Sequence, residues 1–436
     1  METYNLVSLL GIFVLVGFAW LCSAHHKVVN WRVIFWGIGL QFLFAFFIFV
    51  VPLGGKLFLL VNKAVVAVLD CATAGTKFLF GRLALPPGTT SEDGETSLGF
   101  FLAFQGLPTI IFFASLVGAL YYLKVMPFII RVFSYIFTKL MRVSGAESLC
   151  ASSNIFVGIE SALIVRPHLK DMTRSELTTI LSAGMATIAS TVLAVYVFFL
   201  QGELPTIAGH LVSASFLSAP AAVVMAKLIM PETEKSHTLG VEVKPYYERE
   251  DNLIMAIIHG ANSGLRLLGG IVALLLAFLG LVQLVNLILG QAAIPLNNWF
   301  GLDLQLSLEK ILGYIFYPFT LILGVPPADA FKVAQIIGER TIITEAASYQ
   351  HLSQLMASGE LIHPRSAIIT SYALCGFAHI ASLAIFVGGI GALVPSRIKD
   401  LSRVGLRALL AATLACLMTG AIAGTFFNQS SILLGR

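Results

Sequence analysis

The sequence predicts an all-α, polytopic membrane protein with eight transmembrane helices, two re-entrant helical hairpins, interfacial helices and an inverted repeat. Hydrophobic residues make up 57% of the 436 residues and charged residues only 11%, whereas a soluble domain carries roughly 25% charged residues. Apolar stretches long enough to cross a hydrocarbon core recur along the chain, and its length allows about eight to ten such spans. Two further apolar regions contain a glutamate, and these regions predict the hairpins.

The net charge of +4 matches the Lys and Arg excess that cytoplasmic loops of membrane proteins carry. The sequence contains no basic patch of the kind that binds nucleic acid. We therefore expect the lipid bilayer, and no nucleic acid, as a partner.

The first 123 residues contain three predicted spans, at about 6–22, 33–51 and 99–123. Lys27 and Arg32 follow the first span and indicate the cytoplasm. The apolar segment 56–83 is interrupted by Lys63, Asp70 and Lys77, which favours a helix that lies at the membrane interface.

A unit of four elements follows. Residues 124–143 have cationic side chains among apolar ones, as in an amphipathic interfacial helix. Residues 144–174 form two apolar pieces, each too short to cross, and predict a re-entrant hairpin with Glu160 near its tip. Residues 175–200 predict a span that unwinds at its centre, ATIAST, and residues 207–230 predict an unbroken span.

The same order returns after a polar loop and a span at about 265–289. Residues 306–325 predict an interfacial helix, 326–364 a hairpin with Glu345 near its tip, 366–393 a span interrupted at CGFAHIAS, and 406–427 an unbroken span. The first hairpin enters from the inside and the second from the outside. Inverted repeats with interrupted helices predict a midplane binding site and alternating access.

Polar side chains at membrane depth strengthen this prediction. Asn154, Glu160 and Arg166 lie among apolar residues, where an ionisable group is costly and usually marks a substrate or ion path. Glu160 pairing with Arg166, and Glu345 pairing with Arg340, are structural alternatives.

Several sequence motifs resemble the concentrative nucleoside transporter family in its bacterial eight-span form. The resemblance covers nearly the whole chain, and its motifs are FLAFQGLPTIIFF, NIFVG, VRP, MTRSEL, SAPAAVVMAKLIMPETE and YALCGFA. It implies a symporter of nucleosides with sodium, or in some members protons, no other cofactor and no enzymatic step. It also implies a homotrimer in the bacterial inner membrane.

The resemblance further implies a division of the chain into a trimerising scaffold and a mobile transport domain. The expected parts are a scaffold of spans one to three with an external interfacial helix, the first transport repeat, a cytoplasmic loop, scaffold span six, and the second transport repeat. Their ranges are 1–123, 124–230, 231–253, 254–305 and 306–436.

The resemblance assigns two sets of site residues. The sodium ligands are the Asn154 side chain, the Val157 carbonyl, Thr187 and Ile188. The substrate residues are Glu160, Ile159, Val192, Glu345, Phe377, His379 and Ser382. Glu160 corresponds to the glutamate beside the nucleobase and Glu345 to the one beside the ribose. For His379 and Phe377, simple core packing is the alternative, and Glu147, Glu176 and Asp329 are predicted to cap helices.

Two departures from the family pattern bear on selectivity. The first hairpin tip is one residue shorter than the family's GQTEAP and lacks its Gln-Thr pair, and Thr344, Glu345 and Ala346 stand where the family has NEF. His379 replaces an Asn that usually binds ribose. A polar pocket rejects substrates that leave its groups unpaired, so we expect these changes to alter specificity more than fold.

Two other functions remain open at this point. An intramembrane enzyme would use the two carboxylates as an acid–base pair, which requires them close together. A channel would show an open pore and flux that does not saturate. The coupling ion also stays open, because Asn154 and Thr187 favour sodium whereas Glu160 and His379 are titratable.

Overall fold

A computed structural model describes residues 3–86, 88–90, 94–158, 160–247, 250–300, 306–429 and 432–434. Within these ranges all regular secondary structure is helical, with isolated β-bridges and no β-strand. The α-helices of this described part are α1 Thr3–Leu21, α2 Trp31–Phe49, α3 Pro52–Phe80, α4 Leu102–Gln105, α5 Thr109–Tyr122, α6 Val125–Met141, α7 Gly145–Ser153, α8 Ser161–Ile164, α9 Arg174–Ala186, α10 Ser190–Leu200, α11 Ile207–Ile229, α12 Leu253–Phe300, α13 Leu308–Ile322, α14 Pro327–Ile342, α15 Glu345–Ala357, α16 Pro364–Ala373, α17 Ile380–Leu393 and α18 Ile398–Thr425. The predicted all-α fold class is confirmed.

Eight helical segments among the described residues are long and apolar enough to cross a membrane. The number of spanning helices agrees with the prediction, but one of the eight segments is not among those predicted to span. Pro52–Ala84 meets the criterion, although its charged residues led us to expect an interfacial helix. The predicted span 366–393 does not meet it, because the chain there is divided into α16 and α17.

Both predicted helix breaks are present. The first separates α9 from α10 at residues 187–189, and the second separates α16 from α17 at residues 374–379. The two hairpins also form, the first from α7 and α8 with a following 3-10 turn, and the second from α14 and α15. The order of elements in the two repeats is therefore as the sequence predicts.

Helix α12 is much longer than the span 265–289 that its apolar centre predicts. Its 48 residues correspond to about 72 Å at 1.5 Å per residue, more than twice the roughly 30 Å of a hydrocarbon core. It packs along α5 through small residues, since a Cβ atom at Gly118 would lie 2.6 Å from the Ala256 carbonyl oxygen, and one at Gly260 would lie 2.6 Å from that of Ala114. Close backbone approach of this kind is typical of membrane helices.

The buried core lies around α9, α10, α11 and α18. About 80% or more of the most apolar window is buried in the broken helix α9–α10 (83%), in α11 (89%) and in the segment containing α18 (78%). The corresponding window of α12 is only 6% buried. The broken helices thus lie inside the molecule, and α12 lies at its periphery.

Candidate functional site

The two helix breaks touch each other at the centre of the molecule. Gly376 in the second break has φ +110°, a conformation that side-chain-bearing residues rarely adopt. A Cβ atom there would lie 2.5 Å from the carbonyl carbon of Ala186, the last residue of α9. Glycine is therefore required in CGFA both for the backbone turn and for the close contact between the breaks.

The tip of the first hairpin joins the first break. The Ser190 N–H donates to the Phe156 carbonyl at 3.0 Å, so the start of α10 is held by the chain that leaves α7. A Cβ atom at Gly158 would lie 3.3 Å from the Ala189 Cβ atom. Unwound backbone from the hairpin and from the broken helix is thus brought together at one place.

Glu345 begins the second arm of hairpin 2 and is buried, with 6% of its surface exposed. The Tyr196 hydroxyl on α10 donates to its Oε1 atom at 2.5 Å, and His379 Nε2 lies 3.0 Å from its Oε2 atom. The carboxylate also lies at the N-terminus of α15, where the helix dipole favours negative charge. Groups from three elements therefore fix the carboxylate in one orientation.

His379 is the N-cap of α17, and this role sets its tautomer. Its Nδ1 atom accepts the Ser382 N–H at 3.1 Å, so Nδ1 carries no proton in this arrangement and the proton of a neutral ring sits on Nε2, facing Glu345. The Ser382 hydroxyl donates to the carbonyls of His379, at 2.7 Å, and of Phe377. The second break is thereby closed by its own side chains.

A central cavity of about 100 Å³ lies between the breaks and the hairpin tips. Its lining includes these predicted substrate residues: Glu160, Val192, Glu345, Phe377, His379 and Ser382. Ile159, the remaining predicted substrate residue, lies outside the described residues. Glutamates from both hairpins thus line the same cavity.

The predicted sodium residues lie beside this cavity. They belong to the tip of hairpin 1 and to the first helix break, the two segments that the Ser190–Phe156 hydrogen bond joins. Asn154 is fully buried, and its Oδ1 atom has no hydrogen-bond partner in the described part of the chain, while its Nδ2 atom donates to the Cys150 carbonyl at 3.0 Å. The Thr187 hydroxyl donates to the Ala183 carbonyl at 2.8 Å, which leaves its lone pairs available. A buried amide oxygen without a hydrogen-bond partner, next to unwound backbone, is a suitable ligand for a hard cation.

Val157 and Ile188 belong to the same two segments of the chain. Both are buried, with 5% and 1% exposed. Val157 precedes Gly158 at the hairpin tip, and Ile188 lies in the first break, where its carbonyl accepts a long 3.4 Å hydrogen bond from the Ser215 hydroxyl.

Tyr196 is a site residue that the sequence analysis missed. It contacts Glu345 across 149 positions of sequence and lines the central cavity. A signal was available, because Tyr196 is a polar residue inside the apolar run VLAVYVFFL and a buried tyrosine hydroxyl usually finds a partner. The sequence did not indicate which partner that would be.

The structure shows other partners for Glu345 and Arg340 than the pairing between them, and it shows the predicted helix caps. Glu345 contacts Tyr196 and His379, whereas Arg340 donates to the Ala373 carbonyl at 2.6 Å. Glu147 and Glu176 form the predicted capping interactions, with Ser144 and Thr173 as the N-caps.

Asp329 caps a helix other than its own. It lies in the first turn of α14 and accepts hydrogen bonds from the N–H groups of Ile362 and His363 and from the Ser366 hydroxyl, at 3.1, 3.0 and 2.6 Å. It therefore ties the start of hairpin 2 to the start of α16.

Comparison with known families gives consecutive matches along the chain. The description "Na+ dependent nucleoside transporter N-terminus" matches residues 10–83, "Nucleoside recognition" matches residues 103–203, and "Na+ dependent nucleoside transporter C-terminus" matches residues 210–424. The segments between the matches are short, so nearly the whole chain is covered.

Full-length relatives include the uncharacterized transporter YutK of Bacillus subtilis (strain 168), at 38% identity over 96% of this chain and 98% of the relative. An uncharacterized transporter of Haemophilus influenzae is 36% identical over 98% of this chain and 99% of the relative. Solute carrier family 28 member 3 of Rattus norvegicus is 40% identical over 96% of this chain. This chain spans 58% of that mammalian relative's length.

Solved structures of CNTnw have a similar fold over nearly the whole length of this chain. An inward-facing, substrate-bound structure has 35% identity and a TM-score of 0.85, covering 97% of this chain and 98% of that one. An outward-facing variant has 34% identity and a TM-score of 0.85, covering 98% of both chains. These relatives are transporters and not enzymes. With eight helices of spanning length in its described part, the chain is a multi-pass membrane protein, and it belongs to the sodium-dependent, or concentrative, nucleoside transporter family.

Proposed function

We propose that this protein is a secondary active symporter that imports nucleosides by alternating access, coupled to a sodium gradient. One observation carries the proposal: Glu160 and Glu345, from two different hairpins, line one central cavity beside both helix breaks. A nucleoside presents ribose hydroxyls at one end and base N–H groups at the other. Charged acceptors bind such donors roughly twice as strongly as neutral acceptors.

On the ribose side, we assign the main contact to Glu345. Tyr196 and His379 hold its carboxylate in place, and a carboxylate has about four acceptor positions. Ribose hydroxyls therefore bind to an acceptor that is already oriented. Phe377 and Val192 supply apolar surface for the base, and Glu160 accepts from its polar edge.

For the coupling ion, we assign sodium to Asn154, Val157, Thr187 and Ile188. The orphaned Asn154 Oδ1 atom supports this assignment, because a cation would supply the missing partner. Carbonyl and hydroxyl oxygens at the unwound ends of half-helices suit Na⁺. A proton is the competing coupling ion, with the Glu345–His379 pair as its acceptor.

For the assembly, we propose a homotrimeric scaffold in the bacterial inner membrane. Residues 1–123 and 254–305 form the scaffold, residues 124–230 and 306–436 form the moving transport domain, and the loop 231–253 is cytoplasmic. The outer side of α12 supports an interface with other subunits, since Leu276 and Leu287 are 72% and 60% exposed. Intersubunit cross-linking of single cysteines on α12 in membranes tests this arrangement, and a monomer band alone would contradict it.

The experiment that tests the function is uptake of labelled uridine and labelled inosine into proteoliposomes, first under a sodium gradient and then under a proton gradient. Saturable accumulation under the sodium gradient is expected, with Glu345→Gln as the inactive control. Accumulation under the proton gradient alone would reassign the coupling ion. Downhill flux that does not saturate would indicate a channel, and conversion of nucleoside to free base would indicate an enzyme.

A further inference from the structure

A second and larger cavity lies next to the central one. It has a volume of about 390 Å³ and lies between α5, the first turns of α12, the first hairpin and the loop after α11. We call it the vestibule, defined by Tyr121, Glu160, Arg166, Tyr246, Tyr247 and His259. Its volume falls within the roughly 300–1,000 Å³ of ordinary ligand pockets.

The vestibule and the central cavity share one wall. Gly158, Glu160 and Thr191 line both of them. The Glu160 side chain is exposed, and its Oε2 atom accepts the Gly158 N–H at 3.2 Å. The Glu160 residue therefore borders both cavities.

The loop that closes the vestibule is fixed to the first hairpin. The Gly145 N–H donates to the Thr238 carbonyl at 2.8 Å, and the Tyr246 N–H donates to the Ile164 carbonyl at 2.9 Å. These hydrogen bonds connect the loop to both arms of the hairpin, since Gly145 begins α7 and Ile164 ends α8. Tyr246 and Tyr247 consequently occupy defined positions beside the hairpin.

The chemistry of the lining suits a flat, polar aromatic molecule. Tyr246 and Tyr247 are 41% and 40% exposed, and aromatic faces of this kind stack on nucleobases. Tyr121 on α5 also lines the vestibule, as do Glu250 and His259, whose Oε1 and Nδ1 atoms lie 2.8 Å apart. The lining therefore combines aromatic rings with polar side chains, and a nucleoside has the matching combination of a flat base and hydroxyls.

We propose that the vestibule is a second nucleoside-binding site, occupied between release from the central cavity and exit on the side of the loop. The base stacks on Tyr246 or Tyr247, and the polar groups bind to Glu160 or to the Glu250–His259 pair. The proposal rests on the proposed nucleoside transport function. The aromatic rings give the site little preference among bases, in contrast to the central cavity.

Equilibrium binding of labelled uridine to the purified full-length protein tests the proposal. The wild type is expected to show a tight and a weak component. Glu345→Gln should lose the tight component and keep the weak one, and the double variant Tyr246→Ala, Tyr247→Ala should do the reverse, with the weak component about five- to a hundredfold weaker. The matched control is Tyr135→Ala, an exposed tyrosine on α6 outside the vestibule, and it should keep both components.

Photolabelling locates the weak uridine-binding site independently of the binding measurement. With 5-azidouridine, the peptide that contains Tyr246 and Tyr247 should be labelled in the wild type and in Glu345→Gln, and excess uridine should protect it. The double variant Tyr246→Phe, Tyr247→Phe keeps the rings and should keep the weak component. A single binding component that Glu345→Gln abolishes, or an unlabelled loop peptide, would overturn the vestibule site. Absence of any uridine binding to the wild type would instead overturn the nucleoside function.

Discussion

The two hairpins occupy equivalent places in the repeats but hold their glutamates differently. In hairpin 2 only Ile343 and Thr344 separate the arms, and Glu345 is the first residue of α15, buried and contacted by Tyr196 and His379. In hairpin 1 the arms are separated by residues 154–160, and Glu160 is exposed and accepts from the nearby Gly158 N–H. One carboxylate is buried and held by side chains from two other elements, whereas the other is exposed and accepts a hydrogen bond within its own hairpin tip.

The bases of the hairpins show a second difference. Glu147, in the first turn of α7, has its Oε1 atom 2.6 Å from Lys227 Nζ on α11, and both side chains are buried. Asp329, in the first turn of α14, accepts hydrogen bonds from the start of α16. An ion pair therefore fixes hairpin 1 at its base, whereas two backbone N–H groups, the Ser366 hydroxyl and the His363 ring hold Asp329 at the base of hairpin 2. The two hairpins are therefore held at their bases by different kinds of interaction.

The largest effect is expected from Lys227→Met. It leaves Glu147 buried without its cation, and breaking a buried pair costs about 3–5 kcal/mol. Thermal unfolding of the detergent-solubilised protein should show a strong destabilisation, while the exposed Lys139→Met on α6 should unfold like the wild type. Equal unfolding temperatures for the two variants would mean that the ion pair does not hold the hairpin.

Glu345→Gln should reduce uptake about 100-fold or more without loss of folded protein. The substitution replaces a charged acceptor that serves Tyr196, His379 and the ribose hydroxyls, and charged hydrogen bonds contribute about 1.5–3 kcal/mol each. Initial uptake rates, normalised to the monodisperse protein recovered by size exclusion, measure the effect. Normal uptake would remove Glu345 from the site.

Glu160→Gln should have a smaller effect, about tenfold, because an exposed carboxylate contributes less than a buried, oriented one. The same uptake assay applies, with uridine and inosine compared side by side. The loss should depend on the base, since Glu160 is assigned to the base edge. A loss as large as that of Glu345→Gln, and equal for both bases, would contradict the contrast between the hairpins.

Asp329→Asn should destabilise the protein by about 1–2 kcal/mol through weaker hydrogen bonds at the base of hairpin 2. Burial acts to raise the pKa of Asp329, but hydrogen bonds from the Ser366 hydroxyl, from the Ile362 and His363 N–H groups and from the His363 ring outweigh it and lower the pKa. Stability from this carboxylate is therefore present above the ordinary pKa of about 3.9 and is lost only as the pH falls through the lower folded-state pKa. Unfolding measured at pH 8 and pH 5.5 should show a similar penalty at both values.

His379→Asn is expected to give the smallest change, about threefold or less in total uptake, with a changed ranking of nucleosides or a changed pH dependence. Asparagine can still cap α17, but it removes the imidazole beside Glu345. Uptake of several nucleosides between pH 5.5 and 8 measures both properties. An identical profile would assign His379 to helix capping alone.

Local patterns were sufficient to predict many elements. The polar centre ATIAST and the segment CGFAHIAS lie where the broken helices are interrupted, and Glu176 caps the start of α9 as predicted, in a capping box with Thr173. Capping and unwinding depend on neighbouring residues, so a short stretch of sequence contains the required information. The interfacial position of 56–83 stays a prediction, because three charges within an apolar helix do not by themselves determine how the helix lies in the membrane.

The sequence by itself determined that the chain is a membrane protein, the order of its elements and the carboxylates near the hairpin tips. Each of these depends on a short stretch of sequence: on the length of an apolar run, on turn residues, or on a charged residue within an apolar region. Only the tertiary structure decided that Tyr196 holds Glu345, that Lys227 pairs with Glu147, and that the loop after α11 forms a wall of the vestibule. These contacts join residues 149 positions apart in the first case and distant helices in the others. The partner of a buried polar group depends on how the helices pack, and that packing is a property of the whole chain.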